Sequence, residues 1–280
     1  MASHPKCGRP AEPSSRRVWR TAVRIALGLL AGVIVTGCAA DGPDKLSEDS
    51  RAASIRNVGI DHLQQGRTAM AIRKLVEANE LNPDDPATHL ALGEAYRRKG
   101  MLDRAEREYK IAIDVSPKTN DFNRQETVLN LAALYIQMKR YEDAIAECQS
   151  LVDDPTFSSP WRPLTNMGWA AFKLGRLAEA RKHFEDALDF HPRYAPANLN
   201  LGILDQAERQ YLQALHRFEI AVEGDQMPAD AIAEANYRMA EIYVALGKRA
   251  KAIEHFNVAL ERSPYGEWGT QSQSYLELLR

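Results

Sequence analysis

The chain has 280 residues, with 36 Lys and Arg against 38 Asp and Glu, a formal net charge of −2. Nothing in this balance suggests a nucleic-acid footprint, which would be a basic stripe. The length is ample for a continuous hydrophobic core.

Taken in chain order, Met1 to Ser14 is polar and contains proline. Arg16, Arg17, Arg20 and Arg24 then form a positive flank, and Ile25 to Val35 is apolar apart from two glycines. A small residue, Gly37, precedes Cys38. This is the order of a secretory signal peptide. The apolar run is about half of the roughly 20 residues that span a bilayer, so a cleaved segment is expected and not a transmembrane helix. The box Val35-Thr36-Gly37-Cys38 resembles the lipobox of bacterial lipoproteins. That resemblance implies a signal peptide over 1–37 and a covalent lipid on Cys38, palmitate included, with no other cofactor. The plainer reading is an ordinary signal peptide with an incidental cysteine. Several acyl chains on one residue hold firmly to a membrane where one chain does not. By resemblance to the enterobacterial lipoprotein sorting rule, Ala39, where a sorting Asp is absent, implies the periplasmic face of the outer membrane over the inner one. Ser15-Arg16-Arg17-Val18-Trp19 faintly resembles a twin-arginine signal, but Arg20 stands where an apolar residue belongs, and the stretch reads as a plain basic flank. A translation start near Val18 would shorten the long polar leader. With Cys7 removed and Cys38 lipidated, Cys148 is alone and no disulfide can form. Residues 38–51, polar over Asp41 to Ser50, read as a lipidated tether.

From residue 52 a 34-residue unit recurs six times. The units are 52–85, 86–119, 125–158, 161–194, 195–228 and 233–266. The second is the clearest, with Gly93 at position 8, Tyr96 at 11, Ala105 at 20, Tyr109 at 24, Ala112 at 27 and Pro117 at 32. Equivalent positions hold Gly59, Ala132, Gly168, Gly202 and Ala240 at 8, and Ala71, Ala144, Ala180, Ala214 and Ala252 at 20. This pattern resembles the tetratricopeptide repeat (TPR). It implies an all-α, right-handed superhelical solenoid of paired helices. Small residues at 8 and 20 permit close helix crossing, and Pro near 32 ends a helix. Gly66, Gly100, Gly175 and Gly247 occupy position 15, where a left-handed residue ends the first helix. Lys139 and Arg209 stand there in the third and fifth units, so those two turns are expected to differ in shape. Extra residues at 120–124, 159–160 and 229–232 are expected to lengthen connections, with 119–124 and 153–160 as loops. Tyr275, Leu276, Leu278 and Leu279 predict a capping helix over 267–280.

No catalytic constellation is present. The seven histidines form no His-Glu-x-x-His pattern, and neither a phosphate loop nor a nucleophile elbow occurs. The chain reads as a non-enzyme, with no metal site and no small-molecule substrate. Cys148, at position 24, reads as a buried apolar residue. His62 at position 11 reads as packing. Asp205 at position 11 requires either the surface or a neighbouring donor.

In a TPR superhelix the first helix of every unit lines the concave side, so positions 2, 5, 6, 9, 12 and 13 face a groove. Position 6 reads Asn57, Ala91, Asn130, Asn166, Asn200 and Arg238. Asn is a mediocre helix former, and its amide both donates to and accepts from a peptide backbone. The row resembles the asparagine ladders of peptide-binding TPR proteins; alternatively, these amides bond to neighbouring helices. Leu129, Ile136, Trp169, Phe172, Leu199 and Ile203 either expose an apolar groove to a partner or are covered by adjacent helices. Arg97, Arg98 and Lys173 add charge.

A lipoprotein signal followed by six such units resembles the PilF/PilW/Tgl family of type IV pilus biogenesis lipoproteins. That resemblance implies a pilotin, assisting secretin subunits to reach, or form a ring in, the outer membrane. The alternative is another envelope adaptor, for outer-membrane protein insertion or for cell-wall hydrolases.

Overall fold

The computed structural model describes residues 43–117, 122–224 and 227–279, with side chains from Ser47 onward. The signal peptide 1–37 and the lipidation residue Cys38 lie outside the described residues. Two compact units divide at Leu46, and the second, from Ser47 to Arg280, holds the array. Among the described residues all regular structure is helical. In order the helices are α1 (Pro43–Gln64), α2 (Thr68–Leu81), α3 (Pro86–Arg98), α4 (Leu102–Val115), α5 (Phe122–Gln137), α6 (Tyr141–Val152) and α7 (Trp161–Lys173). They continue as α8 (Leu177–Phe190), α9 (Ala195–Ala207), α10 (Tyr211–Glu223), α11 (Ala229–Ala245), α12 (Arg249–Arg262) and α13 (Glu267–Leu278).

The turn between the helices of each pair is built the same way six times. The position-15 residue has φ between 61° and 78°. The next N–H reaches back to the position-11 carbonyl: Arg67 to His62, Met101 to Tyr96, Arg140 to Tyr135, Arg176 to Ala171, Gln210 to Asp205 and Lys248 to Tyr243, at 2.8–2.9 Å. This is the Schellman closure, which satisfies carbonyls that the helix end leaves open. Lys139 and Arg209 take φ of 61°. The expectation that their turns differ is therefore corrected: the shape is kept, and the side chain bears the left-handed cost of about 1–2 kcal/mol. The second helices start straight from this turn, without a side-chain cap. By contrast, α3 follows a loop and is capped by Asp85, which accepts from the N–H groups of Ala87 and Thr88.

Within a pair, the position-24 side chain lies on the position-8 residue. A Cβ added to Gly93 would meet the Tyr109 ring at 2.4 Å, one on Gly168 the Phe184 ring at 2.5 Å, and one on Gly202 the Phe218 ring at 2.7 Å. Tyr109, Phe184, Phe218 and Phe256 are fully buried, each contributing about 1.5–3 kcal/mol of burial. Cys148 takes the same place against Ala132, beside Met167.

A second link inside the pairs is polar. Position 4 meets position 23 in His89 with Glu108 (2.7 Å), Asn198 with Arg217 (3.3 Å) and Asn236 with His255 (2.9 Å). Where position 4 is Val128 or Leu164, the position-23 group loses that partner. Burial pushes the Glu147 acid up, and His183 Nδ1 is buried without a hydrogen bond.

Between pairs, the first helices touch one another: α3 with α5, α5 with α7, α7 with α9 and α9 with α11. Among the described residues the second helices make no such contacts with each other. The layer in mutual contact is the inner side of the bend, so the first helices line the concave face. The last helix, α13, touches both α12 and α11. It stands where the first helix of a further pair would stand, with Trp268 against Tyr237 and Tyr275 stacked on Phe256 at 4.9 Å.

Several expected boundaries shift. The helix α1 begins at Pro43, so residues 43–51 of the expected tether are helical, and Asn82 donates to Asp49 across from the next loop at 3.0 Å. Residues 122–124 and 229–232, expected as connections, are the opening turns of α5 and α11. Nothing in either stretch breaks a helix: Pro228 precedes α11 and Asp230 favours its first turn. Residues 153–160 are non-helical as expected. Phe157 anchors them by packing with Val128, Leu129 and Leu151. Leu278, expected to cap, is 82% exposed, while Tyr275, Leu276 and Leu279 pack on the core.

Candidate partner-binding groove

Among the described residues, clefts open between neighbouring helices of the first-helix layer. The first, about 510 Å³, lies between α1, α3 and α5 and is walled by Ile60, Leu90, Glu94, Arg97, Arg98 and Asn130. The second, about 250 Å³, lies between α5, α7 and α9. Ala133, Ile136 and Thr165 line it with Asn166, Trp169, Pro196 and Asn200. Three of the position-6 asparagines thus face clefts, because a first helix presents the same side at every step of the stack. Neither Asn130 nor Asn200 makes a side-chain hydrogen bond among the described residues. The Asn166 amide reaches the Cys148 thiol. Asn57 is exposed on α1, outside both clefts. In the second pair Ala91 replaces the amide and is buried.

The charged residues are mostly spent within the chain. Arg97 Nε donates to Glu94 at 2.8 Å and Arg98 Nε to the same carboxylate at 2.5 Å, while Arg98 also donates to the Leu63 carbonyl. Burial alone would raise the Glu94 acid; the two guanidiniums outweigh it and hold it below the usual carboxylate range. Arg238 is paired with Glu234 at 2.7 Å and lies over the Trp268 ring. It is fixed by α13 and does not extend the asparagine row.

The apolar expectations divide. Ile136 and Trp169 wall the second cleft, and Trp169 stacks on Phe172 at 5.4 Å. Phe172 is half-buried and packs on the apolar clusters of its neighbours. Leu129, Leu199 and Ile203 do not line an open groove. They are 5%, 8% and 8% exposed. Leu129 is covered by the loop that Phe157 anchors. Leu199 and Ile203 share a core cluster with α10, α11 and α12. Adjacent first helices pack closely enough to seal those positions. Ile60, Glu94 and Ala133 at position 9, Leu90 and Thr165 at position 5 and Pro196 at position 2 were not singled out from the sequence, although the same frame points them into the groove.

Asp205 finds its donor in Arg181 of α8, at 2.8 Å, and is 2% exposed. Cys148 is a buried free thiol, and burial pushes it up to about 12. Such a thiol is protonated and inert at neutral pH. Among the described residues no helix is long and apolar enough to cross a membrane.

Tetratricopeptide-repeat family models match residues 62–124, 161–194 and 199–267. With the paired helices, left-handed turns and small-residue crossings, they define the class: the chain is a tetratricopeptide-repeat protein with a solenoid fold. More particularly, it is 26% identical over 208 residues to the type IV pilus assembly protein PilF of Pseudomonas aeruginosa, covering 72% of this chain and 80% of that one. The two are homologous. The solved structure of Pseudomonas aeruginosa PilF aligns with a TM-score of 0.64 at 20% identity, over 82% of this chain and 99% of that one. The structure of PilW, described as a widely conserved type IV pilus biogenesis factor, aligns with a TM-score of 0.64 at 20% identity, over 79% and 98%. These two structures carry the fold.

Proposed function

We propose that this chain is a lipid-anchored scaffold of the bacterial envelope that binds protein partners in its groove. Its task is to assist secretin subunits to reach, or to multimerise in, the outer membrane during type IV pilus assembly. The observation that carries this is the homology to PilF over 72% of the chain. Cleft-facing amides without side-chain partners support a binding role, because buried or half-buried polar groups gain by meeting a partner's main chain. On this reading residues 1–37 are removed, Cys38 carries the lipid, and the array works at the periplasmic face of the outer membrane. The chain acts by binding and has no catalytic role.

Deletion of the gene tests this. Heat-resistant secretin multimers and twitching motility should fall together, and a plasmid copy should restore both. Normal multimers and normal twitching would sink the proposal. Disturbed porin levels or cell shape with intact pili would mark an outer-membrane assembly or cell-wall hydrolase adaptor instead.

A further inference from the structure

Most basic side chains on the groove-facing positions are neutralised inside the chain. Arg97 and Arg98 share Glu94, Arg162 pairs with Glu126, and Arg238 pairs with Glu234. Lys173 differs. Among the described residues no carboxylate pairs with it; its ammonium rests over the Trp169 ring, 4.4 Å from the centroid. An exposed ammonium over an indole keeps its charge and its free N–H donors.

The same Trp169 is a wall of the second cleft, which Ile136, Pro196 and the amides of Asn166 and Asn200 also line. At about 250 Å³ this cleft is smaller than the roughly 300–1,000 Å³ of small-molecule sites. Its size and apolar walls suit one side chain of a larger partner. An indole wall, two amides and an unspent cation therefore meet within one stretch of α7 and α9.

We infer that this cleft selects an extended protein segment that carries an apolar or aromatic side chain with an acidic residue within two positions of it. The apolar side chain enters against Trp169. The carboxylate pairs with Lys173 as a charge-assisted hydrogen bond. The amides of Asn166 and Asn200 hold the segment's main chain, which in an extended strand offers a donor and an acceptor at each residue. The inference rests on the reading of this groove as a protein-binding surface, and it adds the chemistry of the segment bound.

Fluorescein-labelled peptides of one host sequence, differing only at the centre, test it against the detergent-solubilised full chain. The centres are Phe-Asp-Ser-Asp, Phe-Lys-Ser-Lys and Ala-Asp-Ser-Asp, and affinity is read by anisotropy. The first should bind about tenfold or more tighter than either of the others, with the difference shrinking as salt rises. Lys173→Glu should remove the preference for the acidic over the basic peptide, Lys173→Arg should keep it, and Trp169→Ala should weaken binding of the Phe-Asp-Ser-Asp peptide. Lys173 is exposed, so its variants should keep the helical circular dichroism of the parent. Equal affinity for all three peptides overturns the inference and leaves the groove reading standing. Binding of none also overturns it; the groove reading is then judged separately, by secretin multimers in cells.

Discussion

Lys139 and Arg209 hold a backbone conformation that glycine holds in the other four turns. A non-glycine residue there costs about 1–2 kcal/mol, partly offset because glycine loses more freedom on folding. Lys139→Gly and Arg209→Gly should each stabilise the chain, by roughly 0.5–1 kcal/mol, measured by urea denaturation. A loss of stability would mean that the side chains make contacts worth more than the strain. His89 gives a second prediction at this scale. Its Nδ1 faces Glu108 and its Nε2 the Pro83 carbonyl, 2.7 and 2.8 Å away. Burial alone would lower its pKa, but the hydrogen bonds that the ring donates to Glu108 and to the Pro83 carbonyl, with the charges of Glu108 and Asp85, outweigh it and raise the pKa above 6.5. The folded state therefore holds the proton more tightly than the unfolded chain. This contribution is complete below the unfolded value and is lost as pH rises through the folded one. Unfolding free energy should fall as pH rises above the ordinary histidine value of 6.5, and His89→Gln should flatten that fall. An unchanged slope in the variant would place the dependence elsewhere.

The helix pairs are held by a small contact at position 8 and by polar links that repeat less regularly. That Tyr109, Phe184 and Phe218 at position 24 are the side chains lying on Gly93, Gly168 and Gly202 comes from the structure, whereas the close crossing at the small position 8 was legible in the sequence. The position-4 and position-23 link was not: it uses His with Glu, Asn with Arg and Asn with His, and no single residue type repeats. Asp205 was recognised as awkward, but its donor Arg181 belongs to the preceding pair, and a pattern within one unit cannot reveal a partner in another. Removing one member of a buried ion pair costs about 3–5 kcal/mol, whereas replacing both by apolar groups is often near neutral. Arg181 is only part-buried and also reaches Glu208 at 3.0 Å, so the lower end applies. Arg181→Met should destabilise by about 3 kcal/mol, and Asp205→Leu in the same chain should recover most of it. No recovery in the double variant would show that Arg181 acts through packing instead.

Across the whole molecule, the period of 34 residues and its small positions were enough to predict an all-α solenoid with a terminal helix. Three features escaped the sequence. The residues before the third and sixth pairs, counted as connections, became helical turns, because no residue in 122–124 or 229–232 stops a helix. The tether gave way at Pro43 to the first helix. Leu129, Leu199 and Ile203 were sealed, because the separation of neighbouring first helices depends on loops such as 153–160, whose packing no repeat frame encodes. The amides of Asn130, Asn166 and Asn200 remain at the clefts, and they carry the account's central claim, that this layer is a binding face and not a packing face. The direct measurement compares the chain with and without Asn130→Ala, Asn166→Ala and Asn200→Ala together, scoring heat-resistant secretin multimers in cells and the thermal melt of the purified protein. The account predicts a clear loss of multimers with little change in melting temperature. Retained multimers with a large fall in melting temperature would contradict it and make the asparagines part of the packing.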